Sequence, residues 1–302
     1  MDAVSDLQNI TMPEGISRVA LEASGLLYLP DVGRFVVVSD ETERKQPELY
    51  LMDTAGYIGN KTTVKNSPLI DDMEGIATDP QGRIHLLTSQ SYTRKGNLKP
   101  ERKLLVRCTR QGTVLQADAS VPLIDLLVTA ARTAAKSSWA QFILLGVHKQ
   151  EIDIEGLVWH EDCLLLGFKN PRIGNDALIL SISDPDAMFA AKKLSAEQIR
   201  IGYRFPIVDT TTGTFCGISD LCFVENRLFG LSTGVQSSSG VATDIGLFWT
   251  FHPETGTLQI LGRFPDRKPE GLAYTPGNGL FYIVFDNGSK NASQFMTAKV
   301  SP

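Results

Sequence analysis

The string EIDIEGLVWHEDCLLLGF, Glu151 to Phe168, places a carboxylate and a glycine directly before a pair of apolar runs. The same grammar returns in DDMEGIATDPQGRIHLL and KPEGLAYTPGNGLFYIV, and with serine in place of glutamate in LEASGLLYLP and CGISDLCF. The residues at the shared position are Ser24, Glu74, Glu155, Ser219 and Glu270, about 50 to 80 residues apart. If the strands that follow them meet around one axis, three carboxylates and two hydroxyls converge. Bare carboxylates crowded together repel, and their pKa values rise unless a cation neutralises them. An oxygen-only set with no His or Cys favours Ca²⁺, then Mg²⁺ or Mn²⁺, over zinc or copper. These five residues are therefore the expected metal ligands. Taken singly, an EG pair is no more than a strand opening after a turn; the shared register is what makes a site. The glycine is expected to let backbone and ion approach closely. The nearby Asp72, Asp153 and Asp220 either add charge behind the ligands or cap turns.

The elements that must position these anchors follow from the same repeat. Each anchor opens a short apolar strand, a turn rich in Gly, Asp or Asn, and a second apolar strand. Weaker strand text follows: PELYLMDTAGYIG, KLLVRCTRQGTVLQA, DALILSISD with IRIGYRFPI, IGLFWTFHPETGTLQILGRF, and FMTAKV. Most units thus read as four-stranded antiparallel blades, with DTAG, TRQG and PETG as turns. The spacing predicts an all-β, five-bladed β-propeller, a single domain over residues 1–302, with a six-bladed ring as the rival. The last unit is short of strands, and LQNITMP near the N-terminus is expected to supply its missing edge. The long interval between Glu74 and Glu155 holds VPLIDLLVTAARTAAKSSW, which predicts an amphipathic helix near 121–137 with Leu123, Leu127, Ala130 and Ala134 on one stripe. DPDAMFAAKKLSAEQIR is a second helical or loop excursion. Both are expected on the outside of the ring.

In a propeller of this kind, the loops at the anchor end of the channel follow each second strand. They carry Asp40, Glu41, Arg94, Lys95, Lys169, Arg172 and Asp286. Such rims bind ligands because loops on a rigid scaffold carry function. A mixed rim above a divalent ion suits a small anionic or phosphorylated ligand. Arg172 and Lys169 would clamp the anion, with Arg94 and Asp286 also contacting substrate. Asp40 or Glu41 is the candidate general base. Each residue alone is equally readable as a solvated loop charge.

Composition narrows the alternatives. A formal charge of −5, with no basic block, argues against a nucleic-acid or anionic-membrane partner. The first residues, MDAVSDLQNITMPEG, carry no positive segment followed by an apolar one, and no apolar run approaches the ~20 residues of a membrane span. A cytoplasmic protein is the expectation. Cys108, Cys163, Cys216 and Cys222 show no CxxC spacing and read as buried thiols. His85, His148, His160 and His252 fit no metal-ligand spacing and read as structural or exposed. Neither a GxSxG elbow nor a GxxxxGK[ST] loop is present.

The strings SQSYTRKGNLKPERKLLVR, DIEGLVWHEDCLLLGFKNPRIGNDALIL and GISDLCF resemble an uncharacterised bacterial β-propeller family with a domain of unknown function. More distantly, the order Ser, Glu, Glu, Ser, Glu is similar to that of the calcium-activated nucleotidases, or soluble apyrases. These are five-bladed propellers that hydrolyse nucleoside di- and triphosphates. That resemblance implies a central Ca²⁺ on Ser24, Glu74, Glu155, Ser219 and Glu270. It also implicates Asp40–Glu41 as the acidic loop after the first hairpin and Arg172 in NPRIG. The chain departs from that family in lacking a recognisable secretory leader and in its other loops. The leading expectation is a metal-dependent hydrolase of a phosphate ester or anhydride such as a nucleotide. The alternative is a non-catalytic calcium-stabilised scaffold that binds a partner or small ligand at its rim. A lactonase- or esterase-like site, mixing Asn and His with Glu, finds no such residue at an anchor.

Overall fold

The strand pairs expected from the repeat are all present, and four of them continue outward as four-stranded antiparallel sheets. The computed structural model describes residues 3–17, 20–238, 241–288 and 291–300. The innermost strands are Ala23–Leu29, Met73–Thr78, Asp153–His160, Gly217–Val224 and Lys268–Thr275. From each, the chain steps outward in sequence order; the first blade continues through Arg34–Ser39, Glu48–Met52 and Ile58–Thr63. The innermost strands pack against one another in chain order, and the fifth packs back on the first. The molecule is a five-bladed β-propeller.

Closure is made as the N-terminal text predicts. The fifth sheet runs Lys268–Thr275, Leu280–Asp286 and Gln294–Lys299, and its outer edge is filled by Gln8–Asn9, with Ala3–Val4 alongside. The start of the chain thus pairs with its end, which covers a sheet edge and locks the ring. A sheet buried between neighbours needs apolar side chains on both faces, and the central strands read that way, as in LFYIVFD (Leu280–Asp286). Five apolar clusters fill the five gaps between blades. Phe229, Phe248, Phe281 and Phe285 dominate one of them, between the fourth and fifth blades.

The long interval after the second blade holds no sixth blade among the described residues. Helix α1 (Leu123–Thr133) lies where a helix is expected, and Leu123, Leu127 and Ala130 are buried. A second helix, α2 (Ser138–Lys149), returns against it. Its apolar stretch QFILLGV is too short for periodicity to separate helix from strand, so the sequence does not announce it. The pair packs on outer strands, α1 on the second blade and α2 on the third. Helix α3 (Pro185–Ala191) opens on Asp184, whose carboxylate accepts from the Ala187 amide. Its Asp186 bridges Arg83 at 2.8 Å and Arg107 at 2.6 Å, pinning the third blade to the second. A ribbon of Val208–Asp209 and Thr214–Phe215 precedes the fourth blade. Its strands, only two residues each, are too short for any period to mark them. None of the helices among the described residues is long and apolar enough to cross a membrane.

Cys108 and Cys216 are buried, Cys163 and Cys222 partly so, and all four thiols are free. Burial pushes Cys108, Cys216 and Cys222 up to about 12, so they stay as inert thiols. His85 is buried against Asp79 at 3.0 Å, and His160 stacks on Phe223.

Candidate metal centre

In every innermost strand the ladder to its partner slips at the anchor. The breaks fall between Ala23 and Gly25, Met73 and Gly75, Ile154 and Gly156, Ile218 and Asp220, and Pro269 and Gly271. Ser24, Glu74, Glu155, Ser219 and Glu270 are thus the extra residues of five β-bulges at one register. A bulge takes a residue out of the in–out alternation of a strand and re-aims its side chain. That is how a residue inside an apolar strand comes to present oxygen to the centre of the ring.

The glycine after the anchor also serves the contact between neighbouring blades. A side chain at Gly25 would lie 2.6 Å from the Glu74 carbonyl oxygen, and one at Gly75 would lie 2.8 Å from the Glu155 carbonyl oxygen. Gly25, Gly75 and Gly271 thus let a blade approach the backbone of the next, and Gly156 makes room for the Ile218 and Leu221 side chains of the fourth blade. The fourth blade carries Asp220 at this place. Its carboxylate accepts from the amides of Leu221 at 2.8 Å and of Leu272, in the fifth blade, at 2.7 Å. Asp220 is a bridge between blades.

The bulges bring three of the five anchors together. One carboxylate oxygen each from Glu74, Glu155 and Glu270 lies within 4.8 Å of the others, and all three residues are buried. Ser24 and Ser219 are buried at the same register, but their hydroxyls donate elsewhere. Ser24 Oγ donates to the Met73 carbonyl at 2.5 Å, and Ser219 Oγ to Thr233 Oγ1 at 3.2 Å. Each keeps lone pairs for a further contact. One cation of the chain itself enters the group: Lys169 Nζ lies 2.6 Å from Glu155 Oε1 and 3.6 Å from Glu270 Oε1.

Burial, and then repulsion between the carboxylates, raises Glu74 and Glu155 well above the ordinary range, with Lys169 pulling Glu155 back. Glu270 is raised by burial too, against the pull of Lys169. Burial works against the Lys169 ammonium, but Glu155, Glu270 and Asp153 hold it well above the usual lysine value. One ammonium faces three carboxylates, so the centre is short of positive charge. Glu155 Oε2 is buried with no hydrogen-bond partner. A hard divalent cation fits this set: all donors are oxygen, they converge, and one is unsatisfied.

The mouth above the centre is acidic. Two residues before each anchor stand Glu22, Asp72, Asp153, Gly217 and Lys268. The sequence reading passed over Glu22 and Lys268, although the repeat shifted by two positions marks both. Asp72 pairs with Arg102 at 2.9 Å and accepts from the hydroxyls of Ser89 and Ser91. Asp153 is raised to about 7, chiefly by burial and against the pull of Lys169. Asp40 is raised to about 8 by burial, then by Glu22, Asp286, Asp72 and Glu270, and its Oδ1 has no partner. Glu41, beside it, is exposed. Asp286 accepts from the Gly288 amide at 2.7 Å and lies 4.0 Å from Lys268.

Lys169 and Arg172, the expected clamp, each have a partner within the chain. Lys169 reaches inward to the carboxylates, where Glu155, Glu270, Asp153 and Glu74 stabilise its charge. Arg172 Nη1 donates to the Phe215 carbonyl at 3.1 Å, while its Nε is buried without a partner. Arg94 and Lys95 are exposed on their loop. Beyond the carboxylates the channel turns apolar. A cavity of about 250 Å³ there is lined by Leu26, Ile76, Leu157, Leu221 and Leu272, each two residues past its anchor.

No family model and no curated protein matches the chain. Among solved structures it is similar to a nidogen/laminin complex, at 14% identity and a TM-score of 0.45, covering 88% of this chain and 73% of that one. It is similar to a gluconolactonase of Xanthomonas campestris at 9% identity and a TM-score of 0.42, covering 96% and 88%. It is also similar to the Dos1 propeller at 8% identity and a TM-score of 0.37, covering 93% and 59%. Likenesses this distant bear on neither ligand nor activity; the assignment as a propeller rests on the five sheets themselves.

Proposed function

We propose that the protein is a divalent-cation-dependent propeller hydrolase acting on a phosphate ester or anhydride. The observation that carries this is the convergence of three buried carboxylates with a single ammonium between them. Glu74, Glu155 and Glu270 would hold the ion, with the Ser24 and Ser219 hydroxyls beside them. Ca²⁺ is the first candidate, then Mg²⁺ or Mn²⁺. Once bound, the cation supplies Lewis acidity toward a substrate oxygen.

The chain's own groups do the rest. Asp40, held at about 8, both takes and gives a proton near neutral pH, which suits a general base or acid. Lys169, freed from Glu155 and Glu270, would offer a positive charge to an anion, and Arg172 keeps an unpartnered Nε for the same purpose. Beyond the carboxylates the channel is lined by Leu26, Ile76, Leu157, Leu221 and Leu272, so a charged substrate would enter from the acidic mouth. The likeness of the anchor order to the calcium-activated nucleotidases makes nucleoside di- and triphosphates the first substrates to test.

The test is release of phosphate from nucleotides and simple phosphomonoesters, with Ca²⁺ or with chelator. We expect Ca²⁺-dependent turnover that falls about 100-fold or more in Asp40→Asn. Absence of turnover with every metal and substrate would overturn the catalytic reading. A second reading is supported by the deep burial of the anchors: the ion pins the five blades and the rim binds a ligand without chemistry. Ca²⁺-dependent melting without turnover would select it.

A further inference from the structure

A polar cavity of about 460 Å³ opens at the other end of the ring between the third and fourth blades. It lies beside the hairpin turns that follow His160 and Val224. From Glu155 to His160 the innermost strand advances about 16 Å, so the cavity is independent of the carboxylate centre. Its floor is Ser181, on the strand Asp176–Ser183. Ser181 is 1% exposed and its Oγ has no hydrogen-bond partner. A buried hydroxyl without a partner is destabilising and uncommon in folded proteins.

The neighbouring strand keeps this floor open. Tyr203 pairs with Ile179 and Ile201 with Leu180, which leaves Gly202 as the extra residue of a bulge. A side chain at Gly202 would lie 3.4 Å from Ser181 Cβ and 3.3 Å from the Ile179 carbonyl oxygen. On one wall the His160 ring lies flat on Phe223, with centroids 3.7 Å apart and an angle of 4°. Arg200, a pure donor, shares the lining with Glu161 and Glu254, which are acceptors.

We propose that this cavity binds a small uncharged polyhydroxylated molecule the size of a monosaccharide. A hydroxyl both donates and accepts, so a polyol answers Arg200 and the two glutamates at once and gives Ser181 Oγ its partner. The flat wall suits the C–H face of a sugar ring. The two glutamates disfavour an anion, Arg200 disfavours a divalent cation, and the polar lining disfavours an apolar ligand.

The experiment is calorimetric titration of the whole chain with D-glucose, D-galactose, D-ribose and myo-inositol, with glycine and inorganic phosphate as zwitterionic and anionic arms. At least one polyol is expected to bind saturably. Ser181→Ala should weaken it about 5- to 10-fold. Gly202→Val should abolish it, with the melting temperature showing that the variant is folded. Arg200→Ala, an exposed position, should weaken it similarly even if Gly202→Val fails to fold. The proposal is overturned if no polyol binds up to about 50 mM, weaker than any useful site, if glycine or phosphate alone binds, or if binding survives these substitutions.

Discussion

Lys169→Met removes the one cation that, among the described residues, pairs with Glu155 and Glu270 of the carboxylate centre. With the carboxylate oxygens up to 4.8 Å apart, each ionised pair repels by about 3–4 kcal/mol at an effective dielectric constant near 20. Lys169 offsets this through contacts of 2.6 and 3.6 Å. Breaking a buried ion pair from one side costs about 3–5 kcal/mol. The cation-free variant should therefore melt roughly 5–10 °C below the wild type. Ca²⁺ affinity should move the other way. An ion entering the wild-type centre must displace the ammonium, and a hydrogen bond between charged groups is worth about 1.5–3 kcal/mol. Calorimetric titration at pH 7.5 should then show Lys169→Met binding Ca²⁺ about 10- to 100-fold more tightly than wild type. Saturating Ca²⁺ should also erase the deficit in melting temperature. An affinity equal to or below that of the wild type would refute the idea that ammonium and ion compete for the same oxygens.

Three further outcomes follow from the same geometry. Glu74, Glu155 and Glu270 are raised, so the ion-free centre holds protons at pH values where free carboxylates hold none. Ca²⁺ binding must release them, its affinity must climb as pH rises from 5 to 8, and titrations in buffers of different ionisation enthalpy should report the protons; a flat profile counts against the centre. Asp40 has a folded-state pKa of about 8 against the ordinary 3.8. Its contribution to stability is thus complete below about pH 4 and is lost as pH rises toward 8. Melting temperatures of cation-free protein should decline over that window, and less steeply in Asp40→Asn. Gly25→Ala drives a methyl group to 2.6 Å from the Glu74 carbonyl; forcing the first two blades apart should cost about 1–3 kcal/mol, read as a lower denaturant midpoint.

The blades were legible because each repeats one pattern: an anchor, an apolar strand, a Gly- or Asn-rich turn and a second apolar strand. The register of Ser24, Glu74, Glu155, Ser219 and Glu270 could be read from that alignment, and so could the pairing of the N-terminus with the fifth blade. The bulges could not. They are backbone slips whose only trace is a glycine after four of the five anchors, and that glycine also makes room for contact between blades. Lys169 was visible as a charge near the end of a strand, but the direction in which a long side chain reaches depends on the field around it, and that field joins Glu155 of the paired strand to Glu74 and Glu270 of two other blades. Helix α2 was hidden because Phe142–Val147 is apolar enough to pass for a strand. The carboxylate of Asp220 could have capped a turn; only the meeting of the fourth and fifth blades gives it the Leu272 amide.

The most direct measurement is an anomalous difference map from a crystal of the protein grown with Mn²⁺ in place of Ca²⁺. A peak bonded to oxygens of Glu74, Glu155 and Glu270, with Lys169 withdrawn from Glu155, is the predicted result. A map with no peak on the ring axis, and the ammonium still seated between Glu155 and Glu270, would contradict it.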